Sequence, residues 1–459
     1  MKLTLGQVAD WIHAEGDFDL LAQVQGYSID SRTVAAGDLF FAVTGEQFDG
    51  HQFVHQALRA GAAAAVVSTH WVIPAEVDGA LLLRVPESDD CVLKALQALA
   101  HAVRRHWGGR VIGITGSAGK TTTKECVAAV LGAHMRVLKS AGNLNNGFGM
   151  PLQLLKLEPE HQVAVIEMGM NHAGEIAALA AIAEPDWAVV SNVAAVHLEF
   201  FADGIAGIAA AKRELVEALP DRGIAFLNAD DPWVSQFGRG RNVDTQFFGI
   251  HAASSDVRAT QVASAGAEGM RFNVEVAGQT IAAHIALLGE HNVYNALAAI
   301  AVGVASGLRP EACVHALEQL RPSDKRGEQI EWHGARLIND VYNSNPSALN
   351  AMVDALMAIE ASRHIVIAGE MLELGPDADQ LHRACGEHMR ARGVDVVVGV
   401  RGHAAAIVNG AGAGAVFFET PQQAGEWMRE HLRAGDAVLL KASRGVRLEH
   451  ALLSLTAGE

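Results

Sequence analysis

The stretch RVIGITGSAGKTTTKE, residues 110 to 125, narrows the folds open to this chain more than any other part of it. Arg110 to Ile114 is a short, nearly continuous apolar run, which reads as a buried strand. The small residues from Thr115 to Gly119 allow a tight turn whose backbone N–H groups close around an anion. Lys120 and Thr121 then open a helix, whose N-terminus favours negative charge. The usual phosphate-loop pattern has Gly six residues before the Lys. That position is Ile114, with Gly113 one place early, so the strict string fails while the strand–loop–Lys-Thr–helix context is kept. Phosphate binding explains KTTT; a bare strand-to-helix turn with an exposed Lys does not.

A phosphate loop on a strand implies a parallel sheet, and the chain has the pieces for one. Between residues 109 and 320 the apolar runs VIGIT, VAVIEMG, WAVVSNV and IAFLNAD alternate with Ala-rich helical segments. RFNVEVAGQTIAAHIAL then reads as an antiparallel hairpin turning at Gly278. Before this block, residues 1–108 carry DLFFAVTG, AAAAVVS and ALLLRV between helices, a small α/β unit. After it, residues 321–459 start again with RLINDVYN, HIVIAGE, VDVVVGV, AVFFE and DAVLLKAS, a dinucleotide-fold-like sheet lacking GxGxxG. The expected fold is therefore α/β in three domains: a small N-terminal unit, a central phosphate-loop ATPase-type sheet and a C-terminal Rossmann-like unit.

Composition limits the partners. Lys and Arg number 35 against 52 Asp and Glu, a formal net charge of −17, which argues against a nucleic-acid or anionic-membrane surface. Cys91, Cys126, Cys313 and Cys385 are scattered without metal-ligand spacing, as expected of a reduced, cytoplasmic protein. The N-terminal segment does not read as a secretory signal, and no apolar run is long enough to span a bilayer.

Parallel strands put chemistry at their C-terminal ends. Glu167 ends VAVIEMG, where a carboxylate can hold Mg2+ or simply face solvent. Asn192 and His197 follow the next strand, and a His there is as readily a satisfied loop residue as a ligand. In IAGIAAAKRELVEALP, Lys212 shares a helical face with Ile208, Leu215 and Leu219. It can snorkel to water or point into a site. Asn292 and Asn295 in GEHNVYNALAA lie one helical turn apart, with amides suited to an adenine edge; capping accounts for Asn292 but poorly for Asn295.

Together TGSAGKTTTKE, GNLNNGFGMPLQLL, IEMGMNHAGEI, NVAAVHLEFF, AAAKRELVEALP, LGEHNVYNALAA, NDVYNSNPSAL and LLKASRG resemble the ATP-dependent Mur ligases over essentially the whole chain. TTTKE, GNLNN, EMGMNHAGEI, YNSNPSAL and GEMLELG look most like the branch that adds D-alanyl-D-alanine to a UDP-N-acetylmuramoyl-tripeptide. The DYAHTP-like and DNPR-like segments of the branch adding the third residue are absent. The resemblance implies ATP and two Mg2+ ions as cofactors, a monomer, and these roles. Lys120 and the loop Gly116, Ser117, Ala118 and Gly119, with Thr122 beside them, hold the ATP phosphates. Thr121 and Glu167 hold Mg2+, and His197 binds a second ion. Lys212 matches a lysine carbamylated in many members. Asn292 and Asn295 read adenine, while Arg326 and Asp340 reach phosphate and ribose from the C-terminal domain, which closes by a hinge near residue 320. Ser31, Arg32, Gly45, Asp49 and His51 match the UDP-sugar segment of the first domain. Asn143, Asn345, Lys441, Ser443 and Arg444 are further substrate candidates. Ala118 and Ala442 stand where Asn and the Gly of KGSR are common. Rival readings are another amino-acid ligase of this family, a folylpolyglutamate synthase, a hydrolytic NTPase switch, or a catalytically dead binding module.

Overall fold

A computed structural model describes residues 1–45 and 48–456. The candidate UDP-sugar segment is therefore described apart from Glu46 and Gln47. Three sheets carry the architecture, and a two-stranded pairing of Leu3–Thr4 with Gln23–Val24 flanks the first of them. The first is four-stranded and wholly parallel, in the order Gly26–Ser28, Asp38–Phe41, Ala64–Ser68, Leu82–Val85.

The second has nine strands. Its phosphate-loop strand, Arg110–Thr115, lies between Trp187–Val190 and Val163–Glu167, parallel to both. Ile112 and Ile114 of the central strand are fully buried, as a parallel strand covered on both faces requires. The neighbours on either side of this strand continue in opposite directions across the sheet, which opens a crevice beyond the strand ends. The far edge is antiparallel: Met270–Val276 and Gln279–Ile285 form the hairpin, with Gly278 at φ 75° in its turn. The strands Asp244–Gly249 and Val257–Ser264 join it to the parallel part.

The third sheet runs Glu328–Trp332, Ala335–Asp340, Asp436–Lys441, Arg363–Gly369, Val396–Val400, Val416–Phe418, parallel except for its first pair. Its register sets Asp340 beside Lys441, so two candidate residues a hundred positions apart end neighbouring strands together. The apolar core beneath the first sheet continues into the central one. Leu39, Leu83, Leu96, Leu99 and Val103 pack in the same cluster as Val111, Leu154, Ile166 and Leu215. The third sheet has cores of its own, sharing from the preceding chain only Leu288 as a buried member. No helix among the described residues is long and apolar enough to cross a membrane.

Candidate functional site

The loop of residues 116–119 is shaped by two glycines at positive φ, Gly116 at 153° and Gly119 at 78°. A Cβ on Gly119 would come within 2.8 Å of Asn295 Oδ1, and one on Gly116 would collide with the Ser191 hydroxyl, so neither position tolerates a side chain. The loop is also tied down from the neighbouring strand. Ser117 N donates to Asn192 O (2.9 Å) and Ala118 N to Asn192 Oδ1 (2.8 Å). The Ser191 hydroxyl and the Asn192 amide both reach Ala118 O. Two of the N–H groups expected to face an anion are thus engaged by Asn192. The N–H groups left for it include that of Gly119 and those of the first turn of the helix Lys120–Gly132, which have no partner within the helix.

Lys120 curls back over this loop, its Nζ donating to Gly116 O at 2.9 Å. Burial lowers its pKa, Glu167 opposes that shift, and the Arg326 guanidinium adds to it. Behind it, Thr121 Oγ1 donates to Glu167 Oε2 (2.9 Å), and Asn145 Nδ2 to Glu167 Oε1 (2.8 Å). Glu167 is only 2% exposed at its strand end, so the solvent-facing alternative does not hold. Asn145 comes from GNLNN, and the Gly147 carbonyl just after it accepts from Gln97 on the helix Cys91–Trp107 at 3.0 Å.

Lys212 lies inward on the helix Ile205–Glu217, 2% exposed, beside buried Ile208 and Leu215. It makes no hydrogen bond or ion pair among the described residues. Burial, and then repulsion from Lys120, pushes its pKa well below the ordinary lysine value. Snorkelling is therefore the wrong picture for this residue. Two positions on, Glu214 accepts from Gly174 N (2.7 Å) and Ala177 N (2.9 Å), capping the helix Glu175–Ala183 and fixing how the lysine's helix is rotated.

From the ends of the third sheet and the loops beside them come Arg326, Asp340, Tyr342, Asn345, Lys441 and Arg444. With Ser117 to Thr122, Asn143, Glu167, His197, Asn292 and Asn295 they line one cleft of about 650 Å3. Lys441 Nζ bonds Asp340 Oδ2 (2.5 Å) and Asn343 O (3.0 Å). His197 pairs through Nδ1 with the Glu373 carboxylate across the domain boundary, and that partner lowers the Glu373 pKa. Asn295 is 3% exposed with its amide already used: it accepts from Thr123 Oγ1 (2.9 Å) and donates to Asn292 Oδ1 (2.8 Å). It braces the loop from behind. Asn292 in turn donates to Leu288 O and borders the cleft. His291, half-buried beside them, is held down at about 4 by desolvation and is uncharged at neutral pH.

Some candidates lie elsewhere. Ser443 does not line the cleft: it is 5% exposed, and its hydroxyl donates to Ser344 O and accepts from Leu372 N, joining three loops. Asn345, by contrast, lines the cleft and also caps the helix Pro346–Met357 through Ala348 N. Ser31, Arg32, Gly45, Asp49 and His51 belong to the loops of the first sheet. Arg32 pairs with Asp30, Ser31 with Gln56, and Gly45 N with Phe48 O. His51 joins Asp49 to Ser68 N.

Asn145 and Tyr342 carry no obvious chemistry in the sequence. Tyr342 lies under the Arg326 guanidinium, 3.7 Å from ring centroid to Cζ, and so fixes where that cation points. Tyr342→Ala is expected to cut turnover about tenfold with nucleotide affinity little changed, as steady-state kinetics beside nucleotide titration would reveal. Equal turnover would mean the ring does not steer Arg326.

The comparisons agree with one another. Residues 23–107 match the model of the Mur ligase family, catalytic domain, residues 114–303 the Mur ligase middle domain, and residues 325–444 the Mur ligase, glutamate ligase domain. The chain is 35% identical to a UDP-N-acetylmuramoyl-tripeptide–D-alanyl-D-alanine ligase of Bacillus subtilis, covering 94% of this chain and 93% of that one. It is 36% identical to the Escherichia coli protein of the same name, over 90% and 89% of the two chains. Among solved structures, MurF from Acinetobacter baumannii superposes with a TM-score of 0.89 at 29% identity, covering 99% of each chain. MurF from Thermotoga maritima in complex with ADP gives 0.82 at 29% identity, over 94% and 97%. With that identity along nearly its full length, and a family model on each of its three parts, the chain belongs to the Mur ligase family.

Proposed function

We propose that this protein is an ATP-dependent ligase that adds D-alanyl-D-alanine to a UDP-N-acetylmuramoyl-tripeptide, giving the pentapeptide precursor of peptidoglycan, ADP and phosphate. The observation that carries this reading is the cleft itself. Phosphate-loop groups, the Thr121–Glu167 pair and cations from the third sheet face one volume large enough for substrate and nucleotide phosphates together. The names of the relatives supply the choice of substrates.

Each part of the chain has one task in this scheme. The first 108 residues hold the UDP-sugar peptide, residues 109–320 hold ATP, and residues 321–459 hold the dipeptide. A free carboxylate will not form an amide directly, because oxide is a poor leaving group. The tripeptide's terminal carboxylate therefore attacks the γ-phosphorus of ATP, releasing ADP and forming an acyl phosphate. The dipeptide amine, deprotonated, attacks the acyl carbon; the tetrahedral intermediate collapses, the C–O bond breaks and inorganic phosphate leaves. Lys120, the N–H groups of the first helical turn and Arg326 stabilise the charge on the transferring group.

The residues fit Mg2+. The Thr121 hydroxyl and Glu167 carboxylate are hard oxygen donors 2.9 Å apart at the phosphate end of the cleft. Among the described residues no three His, Cys, Asp or Glu side chains form a ready metal cage. An ion there would complete its shell with phosphate oxygens and water. His197 and a carbamylated Lys212 would hold a second ion. When bound, Mg2+ neutralises phosphate charge. A buried lysine favouring its neutral amine is also the form that adds CO2, forming an N–C bond with loss of a proton. A monomer in the cytoplasm completes the reading.

The test is ADP and phosphate release from UDP-MurNAc-tripeptide with D-Ala-D-Ala, D-Ala, L-Ala, diaminopimelate or no amine. Turnover is expected to require D-Ala-D-Ala and to yield the pentapeptide nucleotide. Preference for another amine would move the enzyme within its family, and release without any amine would overturn the ligase reading.

A further inference from the structure

Lys124 is a buried cation that the scheme above does not use. It lies three residues after Thr121, on the same face of the phosphate-loop helix, and is 0% exposed. Its Nζ lies 3.8 Å from Glu167 Oε2, the oxygen that accepts the Thr121 hydroxyl, and 3.3 Å from Glu125 Oε1. Yet it hydrogen-bonds neither carboxylate. Glu125 is drawn the other way, pairing through its second oxygen with Lys139. A buried ammonium present only to neutralise its neighbours is normally satisfied by hydrogen bonds. This one has close contacts of the right sign and an unspent bonding capacity beside the candidate cation site.

We propose that Lys124 is a built-in cation that keeps the Thr121–Glu167 corner from taking a divalent ion alone and reserves it for an ion arriving with nucleotide phosphates. The proposal rests on the reading of Glu167 as a Mg2+ ligand. An ion on Glu167 Oε2 sits within a few ångströms of a fixed positive charge in a poorly solvated interior, where like charges repel strongly. A triphosphate in the cleft reverses the local sign and removes the penalty. Lys124 is thereby a positioning residue, acting through Glu167 on metal selectivity and touching no reacting atom.

The experiment is Mn2+ binding followed by electron paramagnetic resonance, on the full chain, with and without a non-hydrolysable ATP analogue. The Mn2+ bound by the analogue alone is subtracted. Wild type is expected to bind Mn2+ weakly without nucleotide. Lys124→Met, which keeps the aliphatic length and removes the charge, is expected to tighten nucleotide-free binding about tenfold. Lys124→Met with Glu167→Gln should lose that gain. If Lys124→Met does not fold, Lys124→Gln carries the same expectation. Tight nucleotide-free binding by wild type, no change on neutralising Lys124, or a gain that survives Glu167→Gln would each overturn the proposal. Ligase turnover by wild type, measured in parallel, separates failure of this inference from failure of the functional reading.

Discussion

Lys120→Ala is expected to lower ADP release by about a thousandfold, within the range seen when a single preorganised transition-state donor is removed. The size follows from where the ammonium sits. It stands at the head of the phosphate-loop helix, covered enough that burial lowers its pKa, with Glu167 and the Gly116 carbonyl favouring its charge. The transferring phosphoryl group needs that charge at a fixed point, and water cannot replace it inside the cleft. The fold should be untouched, because the side chain's hydrogen bond is to one loop carbonyl, Gly116 O. Circular dichroism and thermal melting should overlay wild type. Activity above about a tenth of wild type would remove the phosphate-loop assignment, since a lysine away from the phosphates costs far less.

The second large effect belongs to Lys212. Lys212→Ala is expected to lose about a hundredfold or more in turnover, and short carboxylic acids such as acetate are expected to restore part of it. The rescue is the informative half. A cavity left by the side chain can admit a small carboxylate in the place of a carbamate, whereas a purely structural lysine would gain nothing from one. Truncating a buried stem also costs stability, by about 2–4 kcal/mol on the scale of long apolar side chains. Lys212→Met, which preserves volume, therefore separates the two effects: it should melt near wild type and still be inactive. Full activity of Lys212→Ala without added acid would show that this side chain takes no part in the chemistry.

Local sequence carried what depends on local sequence. The phosphate loop, its helix and the Glu167 strand end all follow from apolar runs and small residues. Even the inward direction of Lys212 was half-visible in its helical spacing from Ile208 and Leu215. Contacts set by register between distant elements were not legible. The His197–Glu373 pair spans 176 residues, and the meeting of Asp340 with Lys441 depends on two parallel strands aligning end to end. The grip of Asn192 on Ser117 and Ala118 is of the same kind, and it changes which N–H groups remain for phosphate. The strands Asp244–Gly249 and Val257–Ser264 were missed because TQFFG and VRATQVAS mix exposed and covered positions without a clean period. Lys124 had a signal in the sequence: its three-residue spacing from Thr121 puts it on the Thr121 side of the helix.

The shared core beneath the first and central sheets has a consequence for anyone dissecting this protein. Sheets suggest three separable pieces, but packing divides the chain differently. A cut at residue 108 would strip Leu96, Leu99 and Val103 from the same cluster that holds Val111, Leu154 and Ile166, leaving two fragments each with a raw apolar face. A cut near residue 320 passes between the apolar clusters, with Leu288 the buried side chain that bridges them. The natural fragments of this enzyme are therefore two, the first about twice the length of the second, and expression of residues 1–108 by themselves starts from an incomplete interior.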